Sequence, residues 1–407
     1  MKIRIQGFYG RDNLGDDYIL MSLLSTLNKI QSVSREKNIE CDVVVRDKSY
    51  LGYKSIIDNY KYLIRLIDDG NGCNIIKKAS ILLHNIQGTD YWIIGGGGLF
   101  PNENPRYLLK LLIYIKWAKL FGTRVCMYGI DINPVKSDKC INLWRKLIRE
   151  VDFITTRNEN CYLMLEKIEK KNTQHYSDIT FSLTTQNEKD DQINLAKKLG
   201  LENGMYEAWV VAMPWSKKEL ASDHVQERYQ KLCKLIAGEI DHIKSKVLFI
   251  PFFYGNDLQF ITDIVERVSD TSRIVVADEK SGIVFSDRRL LFKHAKQCVC
   301  MRFHSVLFAL YYAKPFLAIS YSPKTSQLLR EIGLDDRMVE LGIRSNEFFY
   351  KEFDIEEKLL NRLLLEREKQ DKKKLEDISV DMKKQALAEE ACLISWLNKE
   401  KYIVATK

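Results

Sequence analysis

The sequence predicts an α/β protein of two domains, each a parallel sheet flanked by helices, followed by a helical tail. Three observations carry this. The chain has 407 residues, too many for one core when domains usually run about 100–200 residues. Its apolar residues recur alternately with the period of two that marks strands and the period of 3.6 that marks helices, which implies parallel strands covered on both faces. Two such series are separated by a polar stretch with charges from Glu188 to Asp191 and an Asn-Gly pair at 203–204.

In the first series, Ile3 and Ile5 alternate with charges, a glycine-bearing loop follows, and Asp16 and Asp17 can cap a helix from about Tyr18 to Ile30. Val43 to Val45 reads as a second strand, and the apolar Tyr91 to Ile94 breaks at four glycines. Leu108 to Leu120 has helical spacing, Arg124 to Tyr128 reads as a strand, and Ile141 to Ile148 as a helix. Phe153-Ile154 and Asp178-Ile179 continue the strands and close a first domain at residues 1–185, with a linker at 186–205. The second series places strands at Trp209 to Met213, Val247 to Pro251, Ile274 to Ala277, Cys298 to Met301 and Phe316 to Tyr321. Helices at Glu227 to Ile240 and Ser305 to Ala313 alternate with them, giving a second domain at 206–345. Residues 346–407 form a charged helical tail, with Leu359, Leu363, Leu375, Ile378 and Met382 at spacings of three and four within its two halves.

Bulk properties exclude several classes. With 45% hydrophobic and 11% aromatic residues the chain can fill two cores, and 7 prolines argue against long disordered linkers. Its 9 cysteines lack the tight spacing of a disulfide framework and fit reduced, buried thiols. No Cys-x-x-Cys or His-x-x-x-His pair suggests a metal site. The start, Met1-Lys-Ile-Arg-Ile, lacks the apolar core of a signal peptide, so a cytoplasmic location is expected. The longest apolar stretch, Val306 to Tyr321, is broken by Lys314-Pro315 and is too short to span a bilayer. A net charge of +8 does not identify a partner, since the lysines are spread along the chain, and no nucleic-acid partner is expected.

Three constellations carry chemistry. The loop from Gly7 to Asp17, with Asn13 inside it, lies between a strand and a helix, where free backbone N–H groups can meet an anion or a sugar. It lacks the Gly-x-Gly-x-x-Gly fingerprint, and Asp16 and Asp17 repel a pyrophosphate while suiting sugar hydroxyls. Gly95, Gly96, Gly97 and Gly98 end a strand and let a ligand approach the backbone, although close helix-to-sheet packing explains the same run. Arg302 and His304, with Ser305 after them, leave a strand two residues apart, and Lys324 leaves the next one. A guanidinium, an imidazole and an ammonium make an anion site with a proton-transfer group. Arg302 or His304 taken alone is more often structural; Arg157, after Asp152-Phe-Ile-Thr-Thr, adds a cation from the first domain, with an exposed surface arginine as the plain alternative.

In this order, Gly7-Phe-Tyr-Gly10, Asn13-Leu-Gly-Asp-Asp17, Gly95-Gly-Gly-Gly-Leu-Phe100, Tyr128-Gly-Ile130, Thr156-Arg157, Ser177-Asp178, Pro251 with Asp257, and Met301-Arg-Phe-His304 with Pro315 and Ser320-Tyr-Ser-Pro-Lys324 resemble the polysaccharide pyruvyl transferase family over about residues 3 to 334. The Arg-x-His block with its downstream Tyr-x-Pro-Lys is the specific part. The resemblance implies two Rossmann-like domains facing a cleft, as in the glycosyltransferase B architecture. It implies phosphoenolpyruvate as co-substrate with no cofactor, and a ketal formed across two hydroxyls of a cell-surface glycan or its lipid-linked precursor. His304 and Arg302 then look catalytic; Arg157, Lys324, Arg302 and Ser305 look donor-binding; and Asn13, Asp16, Asp17 and Gly95 to Gly98 look acceptor-binding. The chain departs from the family pattern at Asn158, at Phe303 and at Met213, where an arginine often precedes Pro-Trp.

Two rivals stay open at this point. A nucleotide-sugar glycosyltransferase of the same architecture would bind a nucleoside diphosphate, and a non-enzymatic glycan-assembly protein would tolerate loss of His304. The basic, amphipathic Leu108 to Leu120 stretch leads to an expectation of peripheral membrane contact, although a core-facing helix has the same pattern.

Overall fold

A computed structural model describes residues 1–11, 13–33, 38–46, 56–57, 60, 62–68, 86–97, 103–185, 188, 195–283, 287–341 and 372–398. The chain divides into two units, Met1–Leu183 with Met382–Lys407, and Thr184–Asp381.

The first unit is a seven-stranded parallel sheet of β1 (Lys2–Gln6), β2 (Glu40–Val45), β3 (Leu63–Asp68), β4 (Tyr91–Gly97), β5 (Arg124–Ile130), β6 (Ile154–Thr156) and β7 (Thr173–His175). Its order is β3-β2-β1-β4-β5-β6-β7. The direction of winding therefore reverses between β1 and β4, where open α/β sheets hold ligands beyond the strand ends. β4 is buried along its whole length, which explains its unbroken apolar run, since a central parallel strand is covered on both faces. Helices α1 (Leu14–Val33), α2 (Pro105–Leu120), α3 (Asp138–Glu150) and α4 (Glu159–Ile168) connect the strands. Local chemistry fixes the start of α2: the Asn104 side chain accepts from the Arg106 and Tyr107 amides at 3.1 Å each, and Pro105 follows.

The second unit contains α5 (Leu195–Lys198), β8 (Tyr206–Val210), α6 (Asp223–His242), β9 (Lys246–Phe249), α7 (Tyr254–Val265), β10 (Ile274–Val276), α8 (Leu290–Lys293), β11 (Gln297–Cys300), α9 (Phe303–Tyr311), β12 (Phe316–Ser320), α10 (Pro323–Glu331) and β13 (Met338–Glu340). Its six parallel strands run β10-β9-β8-β11-β12-β13, so the reversal recurs between β8 and β11. Trp209, Phe249, Phe260, Val299 and Leu317 pack in its core.

The last described helix, α11 (Lys372–Leu397), is divided between the units after Asp381. Within the second unit, Ser379 Oγ donates to the Tyr311 carbonyl at 2.9 Å. Within the first, Trp396 packs edge-on against Tyr91 and Phe153, with centroids 4.9 and 5.4 Å apart, and its Nε1 donates to Asp152 at 2.9 Å. Each aromatic pair of this kind adds about 0.5–1.5 kcal/mol beyond the area it buries.

Several elements differ from the sequence expectation. Asp178-Ile179 is not a strand: β7 precedes it, and Asp178 caps a short 3-10 turn, Ile179–Phe181, by accepting from the Thr180 amide at 3.0 Å. The first helix begins at Leu14, so Asp16 and Asp17 lie inside its first turn. The stretch at 186–205 carries α5 and belongs to the second unit. Leu359 and Leu363 lie outside the described residues. No disulfide joins the described cysteines, and among the described residues no helix is long and apolar enough to cross a membrane.

Candidate functional site

Each sheet gathers candidate residues at its own point of reversal. In the first unit, the loop after β1 and the glycines ending β4 lie side by side because those strands pair in register from Ile3 and Tyr91 to Gln6 and Ile94. Close approach explains why glycine is required. A Cβ on Gly95 would lie 2.1 Å from the Tyr128 carbonyl oxygen, and one on Gly96 would lie 2.8 Å from Ile19. Gly96 and Gly97 also have φ of +89° and +79°, a region that side-chain-bearing residues rarely adopt. The Tyr9 hydroxyl donates to the Gly95 carbonyl at 3.2 Å. Asn13 accepts from the Gly15 amide at 3.2 Å and donates to Asp16 at 2.5 Å, which holds that carboxylate at the start of α1.

Gly97 lies between Asp16 and Arg157: a Cβ there would be 3.1 Å from the one and 3.5 Å from the other. Arg157 is buried after β6, donates from Nη1 to Asp178 at 2.5 Å, and lies 3.6 Å from Asp131. Burial works against the guanidinium charge, but Asp178, Asp131 and Asp16 outweigh it and raise the Arg157 pKa above its ordinary value. With Asp17 also buried nearby on α1, the centre carries more carboxylates than cations. Such a centre accepts hydrogen bonds from hydroxyls and repels anions.

In the second unit, β11 and β12 are neighbours, and the helices that follow them start together at the strand ends. His304 is the second residue of α9 and Lys324 the second residue of α10. Neither helix has a side-chain hydrogen bond from its N-cap residue or an acidic residue in its first turn, and the positive end of a helix dipole favours an anion. His304 is 8% exposed and its ring stands edge-on to Phe303, 5.4 Å between centroids. Arg302 forms an ion pair with the fully buried Asp257 and donates to the Tyr321 hydroxyl at 3.0 Å. Burial opposes its charge, but Tyr321 and Asp257 outweigh this and raise its pKa.

The structure thus groups Asn13, Asp16, Asp17, Gly95, Gly96, Gly97 and Arg157 in the first unit, and Arg302, His304, Ser305 and Lys324 in the second. Gly98 lies outside the described residues. Strand alternation does not set the relation of Arg302 to His304, because β11 ends at Cys300, Arg302 is the N-cap and His304 is already helical. Ser305 is buried and its hydroxyl turns back to the Arg302 carbonyl at 2.6 Å, so it is spent on the helix start instead of a donor. Arg157, expected as a cation for the donor, is engaged by Asp178 and approached by Asp131. Asp131 was not singled out by sequence reasoning, and Tyr321 entered only as part of the Tyr-x-Pro-Lys block with no role of its own, since neither partnership is visible without the pairing of β5 with β6 and of β11 with β12.

Solved structures similar along the whole chain include a Listeria monocytogenes protein provisionally described as a UDP-N-acetylglucosamine 2-epimerase, with TM-score 0.63 and 10% identity over 100% of this chain and 99% of that one. A second UDP-N-acetylglucosamine 2-epimerase gives TM-score 0.60 and 11% identity over 100% and 98% of the two chains. Anabaena HepE, in complex with UDP and glucose, gives 0.54 and 12% over 98% and 100%. At these identities the likeness concerns the fold, two Rossmann-like units of the glycosyltransferase B kind. No curated protein matches the sequence significantly. The family model for polysaccharide pyruvyl transferases matches residues 13–323, a span that runs from Asn13 through Arg157, Arg302 and His304, and the chain therefore belongs to the polysaccharide pyruvyl transferase family.

Proposed function

We propose that this transferase-family protein moves pyruvate from phosphoenolpyruvate onto two hydroxyls of a glycan, with the donor at the second unit and the acceptor at the first. The observation that carries this reading is the pair of uncapped helix starts with His304 and Lys324 in equivalent positions. Phosphoenolpyruvate brings a phosphate and a carboxylate, and two helix dipoles with an ammonium match that charge.

The chemistry needs a proton delivered to the methylene carbon of the donor. One acceptor hydroxyl then bonds to the adjacent carbon and gives its proton to the imidazole that supplied the first one, phosphate leaves with the electrons of the broken C–O bond, and the second hydroxyl closes the ketal while its proton goes to the departing phosphate. An imidazole near neutrality can give and take protons, so His304 serves this transfer. Lys324 and the helix N-termini stabilise the phosphate as it leaves. Arg302, whose charge Asp257 already balances, fixes the start of α9 and so the position of His304. The carboxylates around Gly97 and Arg157 suit the many hydroxyls of a sugar.

A lipid-linked acceptor brings the protein to a membrane surface, and α2 supports such contact. Leu108, Leu111, Leu112, Ile115 and Ala118 face the core, yet Leu109, Ile113, Trp117 and Leu120 form a second, exposed apolar stripe. Trp117 and neighbouring Lys110 and Lys116 suit the headgroup region of an anionic bilayer.

A nucleotide-sugar glycosyltransferase is the second reading, because HepE, which shares the fold, holds UDP and glucose in its crystal. Calorimetric titration of the full chain separates the two. Phosphoenolpyruvate should bind at micromolar to millimolar concentration and UDP-sugars should give no heat; the reverse pattern overturns the proposal.

A further inference from the structure

Glu389 on α11 is buried at 1% exposure in the first unit and lies beyond the span that matches the family. Its Oε1 accepts from the Thr155 hydroxyl, and Thr155 Oγ1 in turn accepts from the Gly129 amide at 2.7 Å. Gly129 has φ of +57° and sits where the pairing of β5 with β6 slips between Met127 and Ile130, so the relay ends on an irregular turn of the strand. The residues on either side of that turn reach the candidate site. The Tyr128 carbonyl presses on Gly95, the Ile130 carbonyl accepts from the Arg157 amide at 3.3 Å, and the Asp131 amide donates to the Gly97 carbonyl at 3.3 Å.

We propose that Glu389 is a positioning residue which, in its protonated form, pins the Gly129 turn through Thr155 and thereby sets Gly97 and Arg157 for the acceptor. The link to an acceptor rests on the functional reading above; the pinning does not.

Charges around Glu389 agree with a neutral acid. Cys126 and Tyr128 face it from β5, Arg157 from the end of β6, and Tyr176 and Asp178 from the segment after β7, while Glu390 beside it on α11 is engaged by Thr26 and Lys29 of α1. Burial is the largest influence; with the nearby Asp178 charge it outweighs Thr155, Arg157 and Gly129 and lifts the carboxyl from 4.5 to about 8. Oε2 is buried with no hydrogen-bonding partner among the described residues, which is costly for a carboxylate and much less so for the acid. Ionised, it would add a further negative charge to those of Asp16, Asp131 and Asp178 about Arg157.

The sign of the pH dependence follows. The folded pKa is raised, so the contribution is complete below about 4.5, is lost progressively as pH rises to about 8, and is flat above that. Amide exchange at Gly129, measured in the full chain for wild type and Glu389→Gln at matched pH, reads this directly. The wild-type to variant ratio should climb by up to about tenfold per pH unit below pH 8 and then level off, as one linked proton requires. Thr155→Val, which cuts the relay at its other end, should raise exchange at every pH. A ratio independent of pH, or no effect of Thr155→Val, overturns the proposal. The acceptor KM, followed by phosphate release from phosphoenolpyruvate, should rise as Glu389 ionises through about pH 8 in wild type and stay level in Glu389→Gln; a KM limb that persists in the variant overturns the link to the site. If no variant releases phosphate at any pH, the functional reading falls, and with it the link to an acceptor, while exchange still decides the pinning.

Discussion

His304 and Lys324 hold the same place in successive helices, the second residue of α9 and of α10, whose preceding strands pair from Cys298 and Phe316 to Cys300 and Ala318. Parallel register brings the starts of both helices to one end of the sheet, so an imidazole and an ammonium are each carried on the first turn of a helix whose positive dipole end lies there. Charge is unevenly shared there. Arg302 belongs to the same edge, yet Asp257 and Tyr321 take up its hydrogen bonds.

His304→Asn keeps a polar side chain at the start of α9 but removes the imidazole that the proposed proton transfer requires. Phosphoenolpyruvate affinity should survive, while turnover with a competent glycan acceptor falls by about 10²–10⁴-fold. Steady-state phosphate release checks it; near-normal turnover means that the histidine is structural.

Lys324→Ala should weaken phosphoenolpyruvate binding by roughly 1.5–3 kcal/mol, the worth of a charge-assisted hydrogen bond. That is about a 10- to 150-fold rise in Kd. Lys324 is half-buried on the first turn of a helix that Pro323 already pre-sets, so folding should be retained. Unchanged calorimetric affinity in a folded variant removes Lys324 from the donor site.

Most of the α/β order was legible because central parallel strands are apolar without interruption, as in Tyr91 to Ile94, and because glycines punctuate their ends. β3 and β13 escaped notice: each is short or charged and lies at a sheet edge, where one side needs no partner. At the site, residue types and order pointed to Asp16, Gly97, His304 and Lys324, but charge balance could not be read. Whether an arginine is offered to a ligand or consumed depends on carboxylates distant in sequence: Asp257 lies 45 residues from Arg302, and Asp178 lies 21 residues from Arg157. Glu389 carried no sequence signal, since a glutamate on a charged helix reads as solvated until its burial is known.

The exposed stripe on α2 predicts that the full chain sediments with anionic vesicles of phosphatidylserine and phosphatidylcholine at low salt. It should do so much less with phosphatidylcholine alone. Ile113→Ser with Trp117→Ser should abolish sedimentation without destabilising the fold, because Ile113 is 53% and Trp117 38% exposed. Equal sedimentation of wild type and variant overturns the contact, as does a stripe that instead forms a dimer in analytical ultracentrifugation.

Arg157→Ala tests the proposed assignment of donor to the second unit and acceptor to the first. Its guanidinium is 4% exposed and faces Asp178 and Asp131, themselves 2% and 6% exposed as side chains. Arg157→Ala strands those carboxylates in a buried environment, and breaking a buried pair from one side costs about 3–5 kcal/mol. Urea denaturation should therefore show a large loss of stability. Asp178→Asn alone should cost less, because Asn keeps one acceptor, for the Thr180 amide, leaves no unpaired carboxylate behind, and Asp131 still faces the Arg157 guanidinium. In whatever fraction of Arg157→Ala remains folded, phosphoenolpyruvate affinity measured by calorimetry should match wild type, since the proposal places the donor on the second unit. A folded Arg157→Ala protein of near-normal stability that no longer binds phosphoenolpyruvate would return Arg157 to the donor and leave the acceptor to be sought elsewhere.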